Sequence, residues 1–155
     1  MRELGRHDGA WGGTNGFRMM PSDPLQEAPT SAVVSRAASG LLVQVAYTWE
    51  HPGDGVQEGL LVLGQGGEPN AIVAFWADSW HQSPEPRSLE GTIEDGVVTV
   101  GYDYSGEWRW EIVVDVAELD RLTVTMNNVI PDSAATAEMP AGPYAAMRAV
   151  LGRSG

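Results

Sequence analysis

The chain has 155 residues and contains neither cysteine nor lysine. The lack of cysteine excludes disulfides, thiolate zinc sites and a cysteine nucleophile. All nine basic residues are arginines, and they stand against 21 acidic residues, which gives a net charge of -12. A domain this acidic repels phosphate backbones, and no basic cluster offsets the repulsion. We therefore expect no nucleic-acid partner.

Long apolar runs are also missing. No segment reaches the roughly 18 apolar residues that a membrane-spanning helix needs. Residues 1–8 lack the apolar core of a signal peptide. We therefore predict a cytoplasmic protein without a membrane partner. The length fits a single domain over residues 1–155.

Motifs for several chemistries are absent as well. The three histidines show no spacing typical of a metal site. The glycine-rich segment 12–16 lacks the lysine and the following helix of a phosphate-binding loop. No serine-nucleophile signature is present. The sequence therefore predicts no bound metal and no cofactor.

The main positive signal is the alternation of apolar and polar residues, which is the period of a strand with one buried face. In Glu107–Asp115, for example, Trp108, Trp110, Ile112 and Val114 alternate with polar residues. Similar patterns, or a β-branched and aromatic composition, predict nine strands: Trp11–Met20, Ala32–Ala38, Leu41–Glu50, Glu58–Leu63, Ala71–Trp80, Ser88–Glu94, Val97–Tyr104, Glu107–Asp115 and Arg121–Ile130.

Three segments complete the predicted topology. Pro21–Pro29 and Pro131–Pro143 are rich in proline, which predicts loops. Pro143–Gly152 fits either a helical stripe or one face of a strand. A closing strand is favoured, because a meander of nine strands needs another partner to remove its exposed edges. The sequence thus predicts an all-β, up-and-down antiparallel barrel of about ten strands.

Gly9-Ala10-Trp11 resembles the Gly-x-Trp pattern on the first strand of the calycins, the lipocalin and fatty-acid-binding superfamily. The longer string GAWGGTNGFRMMPSDPL is similar to the opening of an uncharacterised bacterial barrel family. Segments 45–52, 78–82 and 128–131 (VAYTWEHP, DSWHQ and NVIP) are similar to later parts of the same family. The resemblance implies a calycin-like barrel and implies no particular activity.

A more distant resemblance is to nitrobindin-like haem barrels, which also open with a strand rich in tryptophan and glycine. Those barrels hold the haem iron through a histidine near the C-terminus. Residues 141–155 contain no histidine here. Haem would need an axial ligand from elsewhere, such as His51 or His81, so we expect no haem.

The inward face of the predicted barrel carries an unusual number of tryptophans. They either wall a pocket or simply fill the core, with Trp11 as a plug at one barrel end. Arg148 is expected either to stack on Trp11 or to lie on the surface. Small-molecule sites combine apolar walls with a few placed polar groups. The candidate ligand-binding residues are Asn15, Tyr47, Trp49, His51, Trp76, Asp78, Trp80, His81, Trp108, Trp110, Met126 and Asn128.

The ionisable members of this set allow a second interpretation. His51 and His81 are either exposed loop residues or partners of a carboxylate at the barrel mouth, and His51 with Asp78 or Glu50 is the candidate pair. Burial would raise the pKa of Asp78 unless a histidine or an arginine pairs with it. The sequence favours a barrel that binds a small apolar or aromatic molecule, as a monomer or homodimer. The alternative is an enzyme of the isomerase or hydrolase type that moves a proton in the same cavity.

Overall fold

The computed structural model describes residues 3–81 and 85–155, and strands make up most of the chain. In this part of the chain, no helix is long and apolar enough to cross a membrane. The strands are β1 (Gly9–Phe17), β2 (Gln26–Ala37), β3 (Leu42–His51), β4 (Gly55–Gln65), β5 (Ala71–Asp78), β6 (Arg87–Glu94), β7 (Val97–Ser105), β8 (Trp108–Asp115), β9 (Arg121–Ile130) and β10 (Gly142–Arg153).

The ten strands form one closed, antiparallel, up-and-down barrel. Each strand pairs with the next in sequence, and β10 returns to pair with β1 from Trp11–Arg153 to Phe17–Met147. The predicted fold class is confirmed, and so is the closing strand at the C-terminus. Closure pairs both edges of the meander, which removes the unpaired backbone groups of an open sheet.

Alternation along each strand builds the core. On β3, Val43, Val45, Tyr47 and Trp49 are buried, while the residues between them are more exposed. A two-residue turn joins β6 to β7 through Asp95 and Gly96, whose φ angles are 49° and 80°. Two positive φ angles suit a tight hairpin, which the Asp-Gly pair predicts.

One loop prediction is wrong. β2 begins at Gln26, so it includes Pro29, and Pro29 pairs with Thr14 of β1. The pairing of β2 with β3 begins only at Ser31. In residues 26–30 the backbone is therefore paired with a strand on one side alone. Proline is tolerated there, because its missing N–H leaves no ladder hydrogen bond unmade on the open side.

The barrel has two different ends. β1, β3, β5, β7 and β9 all finish at one end, which we call the tryptophan end. The even-numbered strands finish at the opposite end, which we call the capped end. A short 3-10 turn at Leu4–His7 precedes β1 there, and its Leu4 and His7 are buried.

Trp11 plugs the capped end, as predicted, and it is 1% exposed. Its Nε1 donates to the carbonyl oxygen of His7 at 2.8 Å, and the His7 ring stacks on it at 5.4 Å between centroids. The guanidinium of Arg153 lies 4.8 Å from the ring centroid. Arg153, and not Arg148, is therefore the arginine on Trp11, and Arg148 is exposed. Arg153 pairs with Trp11 in the β1–β10 register, whereas Arg148 faces outward.

Arg153→Ala should lower the free energy of unfolding by about 1 kcal/mol, because it removes the cation–π contact with Trp11. It also removes the hydrogen bonds from Arg153 to the carbonyl oxygens of Arg6 and Asp8. Urea unfolding followed by tryptophan fluorescence measures the change. Arg148→Ala is the matched control on the same strand and should stay within about 0.5 kcal/mol. Equal effects would show that the Trp11 contact contributes nothing.

Candidate functional site

A row across three strands organises the tryptophan end. Tyr47 of β3 pairs with Gly59 of β4, which pairs in turn with Asp78 of β5. A Cβ atom on Gly59 would lie 2.0 Å from Cζ of Tyr47. Glycine at this position therefore leaves the space through which the Tyr47 ring reaches Asp78.

The Asp78 carboxylate is buried and accepts five hydrogen bonds. Oδ2 accepts from the Tyr47 hydroxyl at 2.8 Å and from Nε1 of Trp49 at 3.1 Å. Oδ1 accepts from the backbone N–H groups of Trp80 and His81 at 2.9 and 2.8 Å. Nδ1 of His81 lies 3.2 Å from the same Oδ1. Every neighbour is a donor, so the site is built for a carboxylate and not for a carboxylic acid.

The electrostatics of Asp78 reflect two opposing effects. Burial by itself would raise the pKa of the Asp78 carboxyl, but the hydrogen bond and the charge of His81, with the backbone N–H groups of His81 and Trp80, hold it below its ordinary value. Burial and the Asp78 charge raise the pKa of Tyr47 well above its ordinary value. Tyr47 therefore stays a neutral phenol that donates to Asp78 and accepts from Nε1 of Trp76 at 2.8 Å.

The ring of His81 is surrounded by five aromatic side chains, which we call the aromatic cage. The side chain of His81 is 6% exposed. Trp80, Trp49 and Trp110 lie 5.0, 5.1 and 5.1 Å from its centroid, and Phe17 and Trp76 lie at 6.2 Å. Trp76 and Trp110 are stacked on each other at 6.0 Å, with 11° between their planes.

Trp80 and His51 form the outer layer of the site. Their rings stack at 4.6 Å between centroids. Trp80 is half-buried, and its Nε1 donates to Oδ2 of the exposed Asp54 at 2.8 Å. The partner of His51 is also Asp54, whose Oδ2 lies 3.0 Å from Nδ1. The histidine that pairs with Asp78 is therefore His81, and not the His51 that the sequence suggests as first candidate.

The four remaining candidate residues are not members of the aromatic cage. Met126 is fully buried in the main core, opposite Ile112 and Met147. Trp108 is half-buried, and its ring contacts Tyr104 at 6.5 Å. Asn128 neighbours Trp110 in the register and accepts from the Tyr104 hydroxyl at 2.8 Å. Asn15 is fully buried on β1, two residues before Phe17.

Several buried polar atoms lack a hydrogen-bond partner among the described residues. On the inward face these are both amide atoms of Asn15, Nε2 of His81 and Nε1 of Trp110. The remaining ones belong to Asp8 and Thr123, away from the cage. An unsatisfied buried polar group costs about 1–3 kcal/mol. All three inward residues were among the sequence candidates.

Sequence reasoning missed two contributors. Phe17 contacts four rings of the site (Trp49, His51, Trp80 and His81), and its parity with Trp11 and Asn15 on β1 could have identified it. Tyr144 accepts from Nδ2 of Asn128 at 3.3 Å and donates to the Met19 carbonyl oxygen at 2.8 Å. In residues 3–81 and 85–155, no group of three histidine, aspartate or glutamate side chains is placed to hold a metal ion.

Comparison of the sequence with models of protein families, and with curated proteins, finds no match. The function is therefore inferred from the geometry of the tryptophan end.

Proposed function

We propose that the barrel binds a small apolar or aromatic molecule at the tryptophan end. The observation that carries the proposal is the position of the unsatisfied polar atoms. Asn15, His81 and Trp110 present such atoms on the same inward face that carries the aromatic cage. Apolar walls with a few unused polar groups are the composition of a small-molecule site.

The route into the site leads past Trp80. This ring covers His81, yet it is half-buried and is tethered at its edge to an exposed aspartate. The inner rings of Trp49 and Trp76 are fixed by hydrogen bonds to Asp78 and Tyr47. A ligand that displaces Trp80 breaks one exposed hydrogen bond and leaves the buried network unchanged.

The closed ten-stranded meander also supports kinship with the calycin barrels.

Titration with 2-methylnaphthalene tests the proposal. Its two fused rings match the flat aromatic side chains of the cage, and isothermal titration calorimetry follows its binding. We expect a binding heat that saturates. Trp80→Ala should change the affinity, whereas Arg148→Ala, on the outer surface of β10, should not. The absence of a saturable binding heat up to the solubility limit of the probe would contradict the proposal.

Asn15→Leu provides a second test. In a ligand site, buried polar atoms lack a hydrogen-bond partner until the ligand binds, and this lowers the stability of the free protein. The substitution conserves size and removes two buried amide atoms that have no partner. The free energy of unfolding should rise by about 1–2 kcal/mol, while 2-methylnaphthalene binding should change. Thr123→Val is the control, since it removes an unpartnered hydroxyl outside the cage. It should raise stability in urea without any change in affinity. Loss of stability in Asn15→Leu would show that the amide is structural.

Proton transfer is a second candidate function, and one observation favours it. The Asp78 carboxylate accepts a hydrogen bond from Nδ1 of His81. Nε2, on the opposite side of the ring, has no partner among the described residues. A carboxylate that orients an imidazole in this way is the arrangement of a general base. Isomerisation or hydrolysis of a bound molecule would then depend on Nε2, and His81→Phe would abolish it while an aromatic probe still bound.

A further inference from the structure

Two ring nitrogens on neighbouring members of the site are unused by the described residues. They are Nε2 of His81 and Nε1 of Trp110, and both are buried. The ring centroids are 5.1 Å apart. Two hydrogen bonds of about 3 Å each to a single ligand atom would join nitrogens up to about 6 Å apart, which rings at this separation allow.

The two nitrogens need different partners. The indole N–H of Trp110 can only donate. Nδ1 of His81 faces a carboxylate oxygen of Asp78 at 3.2 Å. When the ring is neutral, Nδ1 therefore carries its proton and Nε2 accepts. A single atom that satisfies both must accept from Trp110 and donate to His81.

A hydroxyl group does both. A carbonyl or ether oxygen only accepts, and an ammonium group only donates. A carboxylate would bring a second negative charge close to buried Asp78, in a chain whose net charge is already -12. The rings next to His81 include Trp49, Trp76 and Trp110, and aromatic rings pack well against a planar ligand.

We propose, on the basis of the proposed binding function, that the ligand is a phenol-type compound whose hydroxyl bridges these two nitrogens. The hydroxyl donates to Nε2 of His81 and accepts from Nε1 of Trp110. Its aromatic ring lies among the faces of the cage. The ligand thereby satisfies two buried atoms that the described residues leave without a partner.

The test compares 2-naphthol with 2-methylnaphthalene at neutral pH, where the naphthol is uncharged. The two probes have nearly the same shape and differ in a hydroxyl against a methyl group. Wild-type protein should bind 2-naphthol at least as tightly as 2-methylnaphthalene. In His81→Phe and in Trp110→Phe the affinity for 2-naphthol relative to 2-methylnaphthalene should fall by about tenfold or more, which corresponds to losing one hydrogen bond.

The variants are chosen so that each outcome is decisive. Both keep an aromatic ring, and Trp110→Phe leaves the Asp78 network intact if His81→Phe fails to fold. A wild-type preference for 2-methylnaphthalene, or a hydroxyl preference that survives Trp110→Phe, would overturn the phenol assignment and leave the binding function standing. Failure of wild-type protein to bind either probe would overturn both.

Discussion

Replacing Asp78 by asparagine is expected to lower the free energy of unfolding by about 3–5 kcal/mol, because each buried donor that loses its acceptor costs about 1–3 kcal/mol. Five donors converge on the two oxygens of this carboxylate. Asparagine offers one oxygen and one NH₂ group, so whichever way it is turned, its N–H atoms face other donors. The loss therefore includes unsatisfied donors as well as lost charge.

Urea unfolding of Asp78→Asn and Asp54→Asn separates this effect from a general change of charge at the tryptophan end. Asp54 also accepts a hydrogen bond from a tryptophan of the cage, but its side chain is 59% exposed. Asp54→Asn should cost about 1 kcal/mol at most. A cost for Asp78→Asn as small as that for Asp54→Asn would show that the five contacts do not hold the carboxylate as the geometry indicates.

The same carboxylate gives the barrel a defined response to acid. The pKa of Asp78 in the folded state is lowered from the ordinary value of 3.8. A lowered folded-state pKa stabilises the native state fully above the ordinary value, and this contribution is lost as the pH falls below it. Between about pH 5 and pH 3 the stability of the wild-type protein should therefore fall more steeply than that of Asp78→Asn. Parallel curves would show that Asp78 does not contribute.

The fold could be predicted from sequence because each strand buries one face. Alternation and residue composition are local properties, and they located nine of the ten strands to within about three residues of their ends. The exception is β2, which begins at Gln26 and not at the predicted Ala32. The β2 error came from Pro29, which indicates a loop when its neighbours are unknown. Its strand conformation depends on the absence of β3 beside residues 26–30, a fact of the three-dimensional pairing.

The candidate site could be predicted only in part, because the alternation of inward and outward side chains holds only within a strand. Parity along β3 and β5 correctly placed Tyr47, Trp49, Trp76 and Asp78 on the inward face. β5 finishes at Asp78, and His81 lies in the turn that follows. The Asp78 side chain accepts the backbone N–H groups two and three residues later, and this turn directs the His81 ring into the cage. An aspartate that starts such a turn is a recognisable signal, but the direction of the ring is not.

The second large effect is expected at Gly13. This residue lies in the seam, the pairing of β1 with β10 that closes the barrel. A Cβ atom at Gly13 would lie 2.0 Å from the carbonyl oxygen of Val150 and 3.0 Å from Cα of Leu151. Both are backbone atoms of β10, so no side-chain rotation relieves the overlap. Alanine must push the two strands apart, and their pairing is the one that closes the barrel.

Gly13→Ala should therefore lower the free energy of unfolding by about 3 kcal/mol or more, at the upper end of the cost of overpacking. The seam contains its own control, because a Cβ at Gly152 of β10 meets no atom within 4 Å. Gly152→Ala should leave stability unchanged or raise it slightly, since alanine restricts the unfolded chain. Amide hydrogen exchange in β1 and β10 would show where the strain acts, and we expect faster exchange in Gly13→Ala alone. Equal stability of the two variants would mean that the first and last strands have room to separate, and that closure does not require glycine at position 13.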